Sequence, residues 1–197
     1  AVDLFGTPCD YDEIIKISKK YNIKIISDSA QAISSKYRGK YVSTFVDMGG
    51  FSLNRHKHIN TGEGGIIITN SKKYAQRLRL LRNHAESSND KKNPEMFGFN
   101  FRLGEIESAI GIEQLKKLKK IVKERIYIAE KLTNGLKHLK GINLPSNNPK
   151  KKNIYYFYPL TINQKIINGL YINDNEKTLE QLEALKISDA IVKDVHE

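Results

Sequence analysis

Strand-like apolar runs alternate along the chain with segments of helical periodicity, an order that predicts an α/β fold. A helix is predicted from Tyr11 to about Tyr21, with Asp10 as its N-cap. Buried strands are predicted at residues 23–27 and 49–53. A third strand is predicted at residues 65–69, where consecutive isoleucines form the β-branched run typical of a strand covered on both faces.

Turn residues and caps predict shorter elements between these strands. Residues 37–40 contain an Arg-Gly pair and are expected to form a small hairpin. Asn70 or Ser71 is expected to cap a helix that reaches Arg82. The polar and charged residues 87–94 predict a mobile loop that separates two structural units.

The second half of the chain predicts a long helix and the start of another domain. The helical pattern extends from residue 104 to about residue 139, with a bend or break expected near residues 133–135. Residues 153–162 are rich in aromatic side chains and predict a strand of a second unit. We therefore divide the chain into a first domain at residues 1–140 and a smaller one at residues 141–197.

Two segments carry candidate chemistry, each after an apolar run. Lys57 stands five residues before a Gly-Glu-Gly-Gly turn at residues 62–65, where glycines let backbone approach a ligand closely. A lysine in such a place suits a Schiff-base enzyme that uses pyridoxal phosphate, although most lysines are solvated surface charges. Asp28 follows the strand at residues 23–27 and is the candidate carboxylate for the protonated ring nitrogen of that cofactor, with a turn cap as its alternative role.

These segments belong to a set of motifs that resembles the DegT/StrS family of sugar aminotransferases. The motifs occur in the family's order and at closely similar spacing over roughly residues 2–145: Val2 to Pro8, Asp28 to Gln31, Phe51-Ser52, Lys57, Gly62 to Gly65, Arg79 to His84, and Gly98 to Leu103. The resemblance implies an α/β fold of the fold-type-I, aspartate aminotransferase-like class. For this chain the class implies a mixed, mostly parallel sheet flanked by helices, together with part of a small α+β C-terminal domain.

The resemblance also implies a cofactor, pyridoxal 5′-phosphate, and roles for individual residues. Lys57 would hold the cofactor covalently and act as general acid and base, and Asp28 would keep its ring nitrogen charged. Gln31 would lie against the ring or contact its hydroxyl, and Ser52 would donate a hydrogen bond to the phosphate. Asn100 would reach the phosphate bound by a neighbouring subunit of a homodimer.

The implied reaction is transamination of a nucleotide-linked keto sugar, with glutamate as the amino donor, in polysaccharide, lipopolysaccharide or glycoconjugate biosynthesis. Family members are roughly twice as long and carry, before the position of Val2, a segment that holds the cofactor phosphate and covers its ring. The chain also begins with Ala1. We therefore expect an N-terminally truncated member, with a catalytically inactive remnant as the alternative.

Composition adds one competing hypothesis. The net charge of +11 over 197 residues, with a crowd of basic side chains at residues 116–125, raises the possibility of a nucleic-acid surface. An apolar stripe between those lysines, at Ile112, Leu115, Leu118, Ile121 and Val122, and the lack of interleaved aromatics favour instead an amphipathic helix with a solvated face. A single cysteine, no leader and no membrane-length apolar run predict a cytoplasmic protein.

Three histidines raise two further hypotheses, a metal site and a dehydration reaction. His56, His58 and His84 have no carboxylate or thiol at ligand-like spacing, so no metal site is expected. Some members of the resembling family carry histidine in place of the lysine and are sugar dehydratases. Counted back from Gly62, the family position is Lys57 and both neighbouring histidines are one residue off, which favours transamination over dehydration.

Overall fold

A computed structural model describes residues 1–86 and 96–162. The chain forms two compact units, the first comprising Ala1–Gly135 and Ser146–Pro159. The second unit comprises Leu136–Pro145 and the chain from Leu160, which is described as far as residue 162. The loop predicted at residues 87–94 lies outside the described residues. No helix in the described ranges is both long and apolar enough to cross a bilayer.

The main sheet of the first unit has three strands in the order β1 (Ile26–Asp28), β4 (Met48–Ser52) and β5 (Gly65–Ile68). The first pair is parallel and aligns Asp28 with Gly50, whereas β4 and β5 are antiparallel. Val2 extends the parallel side through a bridge to Asp28. The mixed α/β architecture predicted from the sequence is therefore confirmed.

Helix α1 spans Tyr11–Tyr21 and helix α2 spans Lys72–Arg82, as predicted. Ser71 caps α2, since its Oγ accepts from Tyr74 N at 3.3 Å. Asp10 precedes α1 but does not cap it through its side chain, because its Oδ1 accepts from Tyr37 Oη at 2.9 Å. The aspartate therefore ties α1 to a neighbouring strand.

Strands β1 and β5 differ from their predictions. The first strand begins at Ile26, because Asn22 ends α1 in the left-handed conformation and Ile23 N still bonds the helix carbonyl of Ser18. Strand β5 is not covered on both faces, since Ile66 and Ile67 are 41% and 57% exposed. The β-branched run correctly predicted the strand but not how much of it other segments cover.

The core lies between α1 and the strands, where Tyr11 packs edge-on against Phe45 at 4.8 Å and against Tyr37 at 5.6 Å. Asp3 is fully buried beneath it. Its carboxylate accepts from Tyr11 Oη at 2.8 Å, Ser29 Oγ at 2.6 Å and Cys9 N at 2.9 Å, so the buried group is satisfied. This network fixes the residue that follows Asp28.

The predicted hairpin at residues 37–40 is confirmed by strands β2 (Lys36–Tyr37) and β3 (Lys40–Tyr41). A later strand, β7 (Lys151–Lys152), pairs with β2 on its other edge. The strand predicted at residues 153–162 is confirmed only at residues 161–162, and residues 153–159 instead form a loop of the first unit. In the second unit, β6 (Ile142–Asn143) pairs with β8 (Thr161–Ile162).

Helix α3 runs without interruption from Glu105 to Leu136. The break predicted near residues 133–135 is absent: Gly135 falls in the last turn of the helix, and Thr133 donates from its Oγ1 to Ala129 O without ending it. The apolar stripe on this helix is only partly covered. Val122 is buried, whereas Ile112 and Leu115 are exposed.

Candidate functional site

Asp28 is the last residue of β1, and its backbone is held on both sides. Its N donates to Ala1 O at 2.7 Å, and its O accepts from Asp3 N at 2.9 Å. The side-chain Oδ1 accepts from Ala30 N at 3.0 Å. Oδ2 has no hydrogen-bond partner among the described residues, so one carboxylate oxygen is available to a ligand at the carboxyl end of the strand.

A cavity of about 480 Å³ opens beside Asp28 along the main sheet. Ser52, at the end of β4, lines the same cavity, so two of the predicted site residues lie on one surface. Gly50 lines it between them, and a Cβ built there would meet no atom within 4 Å. Glycine therefore leaves open space that a side chain would fill. The remaining lining residues are mainly apolar and include Ala30, Met48, Phe51 and Ile67.

The lysine loop, residues 53–64, leads from Ser52 and returns to β5. It is closed by bonds of Leu53 N to Gly64 O at 2.8 Å and of Thr61 N to Leu53 O at 2.9 Å. Gly62 and Gly64 have φ angles of +85° and +155°, which explains why the turn is glycine-rich. Ser52 Oγ accepts from Asn54 N at 3.2 Å and keeps its own hydrogen for a ligand.

Lys57 is half-buried on this loop, with its N bonded to Asn54 O at 2.9 Å. Its Nζ lies 4.8 Å from the centroid of the Tyr156 ring, within cation–π range. Lys57 is not among the residues that line the cavity beside Asp28. The structure thus brings Asp28 and Ser52 together and places the lysine amine against an aromatic face.

Gln31 does not line that cavity either. Its Oε1 accepts from Phe5 N at 2.7 Å, which stabilises a residue whose φ is +58°. Within the described part of the chain its Nε2 makes no hydrogen bond, so the amide retains donor capacity. The structure therefore gives Gln31 a supporting contact that the sequence did not predict.

Asn100 is exposed and forms an antiparallel backbone bridge with Asn83 at the end of α2. Two residues later, Arg102 Nη1 donates to Asn83 Oδ1 at 2.6 Å. Asn100 is not a lining residue of the cavity beside Asp28. Any contact of this side chain with a cofactor would involve a surface of the molecule other than that cavity.

His58 is buried, and its Nε2 lies 3.2 Å from Ile154 O. Burial lowers its pKa to about 4, and the nearby charges of Arg125 and Lys57 act in the same direction. The neutral ring is therefore a packing element beside the lysine. His56, by contrast, is exposed and accepts from Arg55 Nε at 3.1 Å.

Sequence reasoning missed Tyr156, which lies beside Lys57, and Arg125, which holds the backbone at Tyr156. Arg125 Nη1 donates to the carbonyls of Tyr155 and Tyr156 at 3.2 and 3.3 Å. These contacts join positions far apart in the chain, and the motif run ends before residue 153. The density of aromatic residues at positions 155–158 was the one available signal, and it was assigned to a strand.

The donor set beside the cavity fits pyridoxal 5′-phosphate. Asp28 offers a free carboxylate oxygen of the kind that a protonated ring nitrogen requires. Ser52 offers a hydroxyl hydrogen for a phosphate oxygen, and the apolar residues with Gly50 leave room for a flat ring. Lys57 lies on the adjoining loop and does not itself line the cavity.

Comparison with known proteins gives an independent result. A profile of the DegT/DnrJ/EryC1/StrS aminotransferase family matches residues 1–191. The GDP-perosamine synthase of Escherichia coli O157:H7 is 32% identical over 157 residues, which are 80% of this chain and 42% of that protein. EpsN of Bacillus subtilis, named a putative pyridoxal phosphate-dependent aminotransferase, is 33% identical over 142 residues, which are 72% of this chain and 37% of EpsN.

A solved structure agrees with these relatives. PseC of Helicobacter pylori, described as an aminotransferase involved in the biosynthesis of pseudoaminic acid, superposes with a TM-score of 0.78 at 31% identity. The match covers 85% of this chain and 46% of PseC. The chain spans between 32% and 50% of the length of the curated relatives it matches.

Proposed function

We propose that this chain, which belongs to the DegT/DnrJ/EryC1/StrS aminotransferase family, is part of a pyridoxal-phosphate-dependent enzyme that aminates a nucleotide-linked keto sugar. The observation that carries the proposal is the free Oδ2 of Asp28 beside Ser52 on one cavity, followed at once by the lysine loop. The names of the E. coli, B. subtilis and H. pylori relatives support the cofactor and the sugar substrate.

Each site residue has a proposed task. When bound, pyridoxal 5′-phosphate supplies an electron sink for bond changes at the amino-bearing carbon. Asp28 Oδ2 accepts a hydrogen bond from the ring nitrogen and keeps it protonated, and Ser52 Oγ donates to the phosphate. Lys57 Nζ would hold the cofactor covalently until a donor amine displaces it, and the freed amine would then carry the proton to and from the reacting carbon. Gln31, which does not itself line the cavity, would lie against the ring or contact its hydroxyl, and Asn100 would reach the phosphate held by a second subunit.

We also propose a domain division, an amino donor, an assembly, a product and a cellular location. The cofactor-binding part corresponds to the first unit, Ala1–Gly135 with Ser146–Pro159, in place of residues 1–140, and the smaller domain corresponds to the second unit in place of residues 141–197. Glutamate is the proposed amino donor and a homodimer the proposed assembly. The product is an amino sugar for lipopolysaccharide or a related polysaccharide, made in the cytoplasm. The resemblance supports these statements, and the relatives' names support the sugar product.

Dehydration is the competing reaction, and it requires a histidine in the role of Lys57. His58 is buried and bonded to Ile154 O, and the fall in its pKa keeps it neutral. His56 is exposed and accepts from Arg55 Nε. Counted back from Gly62, Lys57 and not a histidine occupies the family position of the covalent residue, which favours transamination.

Borohydride reduction in the presence of pyridoxal 5′-phosphate tests the proposal. We expect one pyridoxyl adduct per chain on Lys57, identified by peptide mass. The Lys57→Arg variant should lose it, whereas Lys119→Arg, which removes an exposed lysine of α3, should retain it. Asp28→Asn should retain the adduct and lower the release of 2-oxoglutarate from glutamate by about 10²- to 10³-fold, the range for removing one preorganised electrostatic contact.

Two results would contradict the proposal. An adduct spread over surface lysines and unchanged in Lys57→Arg would show that the amine at position 57 is not selected. A protein that forms no adduct but binds oligonucleotides in a strongly salt-dependent way would be the basic nucleic-acid binder that the net charge of +11 suggests.

A further inference from the structure

Residues 153–157, which we call the tyrosine loop, are hydrogen-bonded to the short helix at Leu4–Gly6. Ile154 N donates to Gly6 O at 3.1 Å, and Tyr156 N donates to Phe5 O at 2.9 Å. A Cβ at Gly6, where φ is +86°, would lie 2.9 Å from Tyr156 N. Glycine is therefore what permits the two segments to approach so closely.

Two further side chains hold the same loop by its carbonyl groups. His58 Nε2 lies 3.2 Å from Ile154 O, and Ile154 itself is fully buried. Arg125, on α3, donates from one nitrogen to the carbonyls of Tyr155 and Tyr156. These bonds from a guanidinium are charge-assisted, so α3 contributes directly to the position of the loop.

The tyrosine loop also carries backbone strain. Tyr155 has φ +51° and Phe5, its neighbour across the contact, has φ +58°, although neither residue is glycine. The side chain of Asn153 supports the turn by accepting from Tyr155 N at 2.8 Å. Such conformations persist only where the surrounding contacts determine them, and they concentrate at functional sites.

The loop presents the Tyr156 ring to Lys57, whose Nζ lies 4.8 Å from the ring centroid. We propose that Tyr156 is a positioning residue for Lys57, and that its ring face holds the ε-ammonium whenever the lysine carries a proton. This inference rests on the proposed function. Gly6, His58 and Arg125 serve it indirectly, because they fix the loop that bears the ring.

The chemistry of the contact suits a lysine that moves protons. The side chain of lysine is long and flexible, and an unheld ammonium would spend much of its time in solvent. A carboxylate in the position of Tyr156 would hold the charge but could also take the proton. An aromatic face attracts the cation through its quadrupole and offers no basic atom that could take the proton.

Ring-current shifts measure this contact without any cofactor. The full chain is reductively methylated with ¹³C-formaldehyde, and the dimethylamine signal of Lys57 is assigned from the Lys57→Arg variant. We expect this signal to be shifted by the ring in the wild type and in Tyr156→Phe. The signal should return to the position of exposed lysines in Tyr156→Leu and in Tyr156→Gln. Both variants are made so that, if one fails to fold, the other still provides the test.

A second readout connects the contact to the reaction. With pyridoxal 5′-phosphate, all variants that retain Lys57 should form the borohydride-trapped adduct. Formation of 2-oxoglutarate from glutamate should fall by about threefold to thirtyfold in Tyr156→Leu, the range expected for loss of a cation–π contact, and Tyr156→Phe should restore it.

The outcomes separate this inference from the function on which it rests. An unshifted Lys57 signal in the wild type, an unchanged glutamate reaction in Tyr156→Leu, or a Tyr156→Phe variant as slow as Tyr156→Leu would overturn the role of the ring. Absence of the adduct in the wild type would overturn the proposed function itself, whatever the ring-current result.

Discussion

His58 links the lysine loop to the tyrosine loop and is buried as a neutral ring. Desolvation disfavours its charged form, and the cations Arg125 and Lys57 disfavour it further, so its pKa is lowered to about 4. In the unfolded chain the same side chain has a pKa of about 6.5. Between these two values the unfolded state binds a proton that the folded state does not.

Stability should therefore fall as the pH falls from about 6.5 towards 4. The loss should approach about 3 kcal/mol at the lower end, because each pKa unit corresponds to about 1.36 kcal/mol. Urea unfolding at pH 7.5, 5.5 and 4.5 measures it. The variant His58→Gln, which keeps an amide donor for Ile154 O, should flatten this dependence.

The carboxylates Asp12 and Asp47 do not complicate this interval. Arg38 lowers the pKa of Asp12, and the backbone bond from Ile25 lowers that of Asp47, so both stay ionised across it. A wild-type stability that is constant from pH 7.5 to 4.5 would contradict the neutral, buried His58. An undiminished slope in His58→Gln would assign the effect to another group.

At this scale the sequence identified the residues that depend on local context. Lys57 could be selected by its distance from the glycine turn, and Asp28 by its place after an apolar run. Tyr156 and Arg125 could not be selected, because their importance comes from contacts across long sequence separations. A one-dimensional pattern does not encode which distant loop will bring a ring to a given amine.

Strand β4 carries two adjacent glycines with opposite surroundings. A Cβ at Gly49 would collide with the side chains of Ser43 and Ser27, which are buried and bonded to each other. A Cβ at Gly50 would enter the cavity beside Asp28 and touch nothing. Successive residues of a strand face opposite sides, so one glycine serves packing and the other serves the site.

The variants Gly49→Ala and Gly50→Ala should separate stability from cofactor binding. Gly49→Ala should lower the free energy of unfolding by about 1 to 3 kcal/mol, as overpacking does. Gly50→Ala should change it by less than about 0.5 kcal/mol and yet reduce the pyridoxyl adduct on Lys57. Denaturant unfolding and peptide mass measure the two effects.

The two variants serve as controls for each other, since they add the same methyl group to neighbouring positions. Equal stability losses would contradict the assignment of Gly49 to packing and Gly50 to open space. A stable Gly50→Ala protein with a wild-type adduct yield would place the cofactor elsewhere than in this cavity.

Element prediction succeeded where local rules determine the outcome. The Ser71 cap and the glycine of the β2–β3 hairpin gave elements that the structure confirms. The prediction of a doubly covered β5 failed, because cover is supplied by other segments. The strand predicted at residues 153–162 failed similarly over residues 153–159: aromatic composition favours a strand, but bonds to Phe5, Gly6 and Arg125 hold the segment as a loop.

The net charge of the whole molecule is a property of its surface and does not determine its fold. On α3, Lys116 pairs with Glu113 and Lys120 lies 3.9 Å from Glu124, so part of the basic crowd is balanced on the helix itself. The exposed lysines of this helix do not line the cavity beside Asp28. Net charge thus suggested a nucleic-acid surface, a hypothesis that can be tested only against the positions of the charged side chains.

An exposed aromatic surface bears on the proposed homodimer. Phe99 and Phe101 stack with their centroids 4.9 Å apart, and Phe101 is 69% exposed. Leu103 and Ile106 continue the apolar surface into α3. Contiguous exposed patches of this kind mark interaction sites. Asn100 lies between the two phenylalanines in the sequence, so a partner that covered them would come close to the backbone of this asparagine.

Replacing Phe101 by Asp should therefore weaken self-association and cofactor capture together. Burying a charge without a partner opposes assembly, so sedimentation velocity should show a shift from dimer towards monomer at equal concentration. The matched variant Tyr21→Asp places the same charge at an exposed aromatic position at the end of α1 and should remain dimeric. If Asn100 acts across the interface, the pyridoxyl adduct should decline in Phe101→Asp in proportion to the dimer. A monomeric Phe101→Asp protein with full capture at Lys57 would show that each chain binds the cofactor alone.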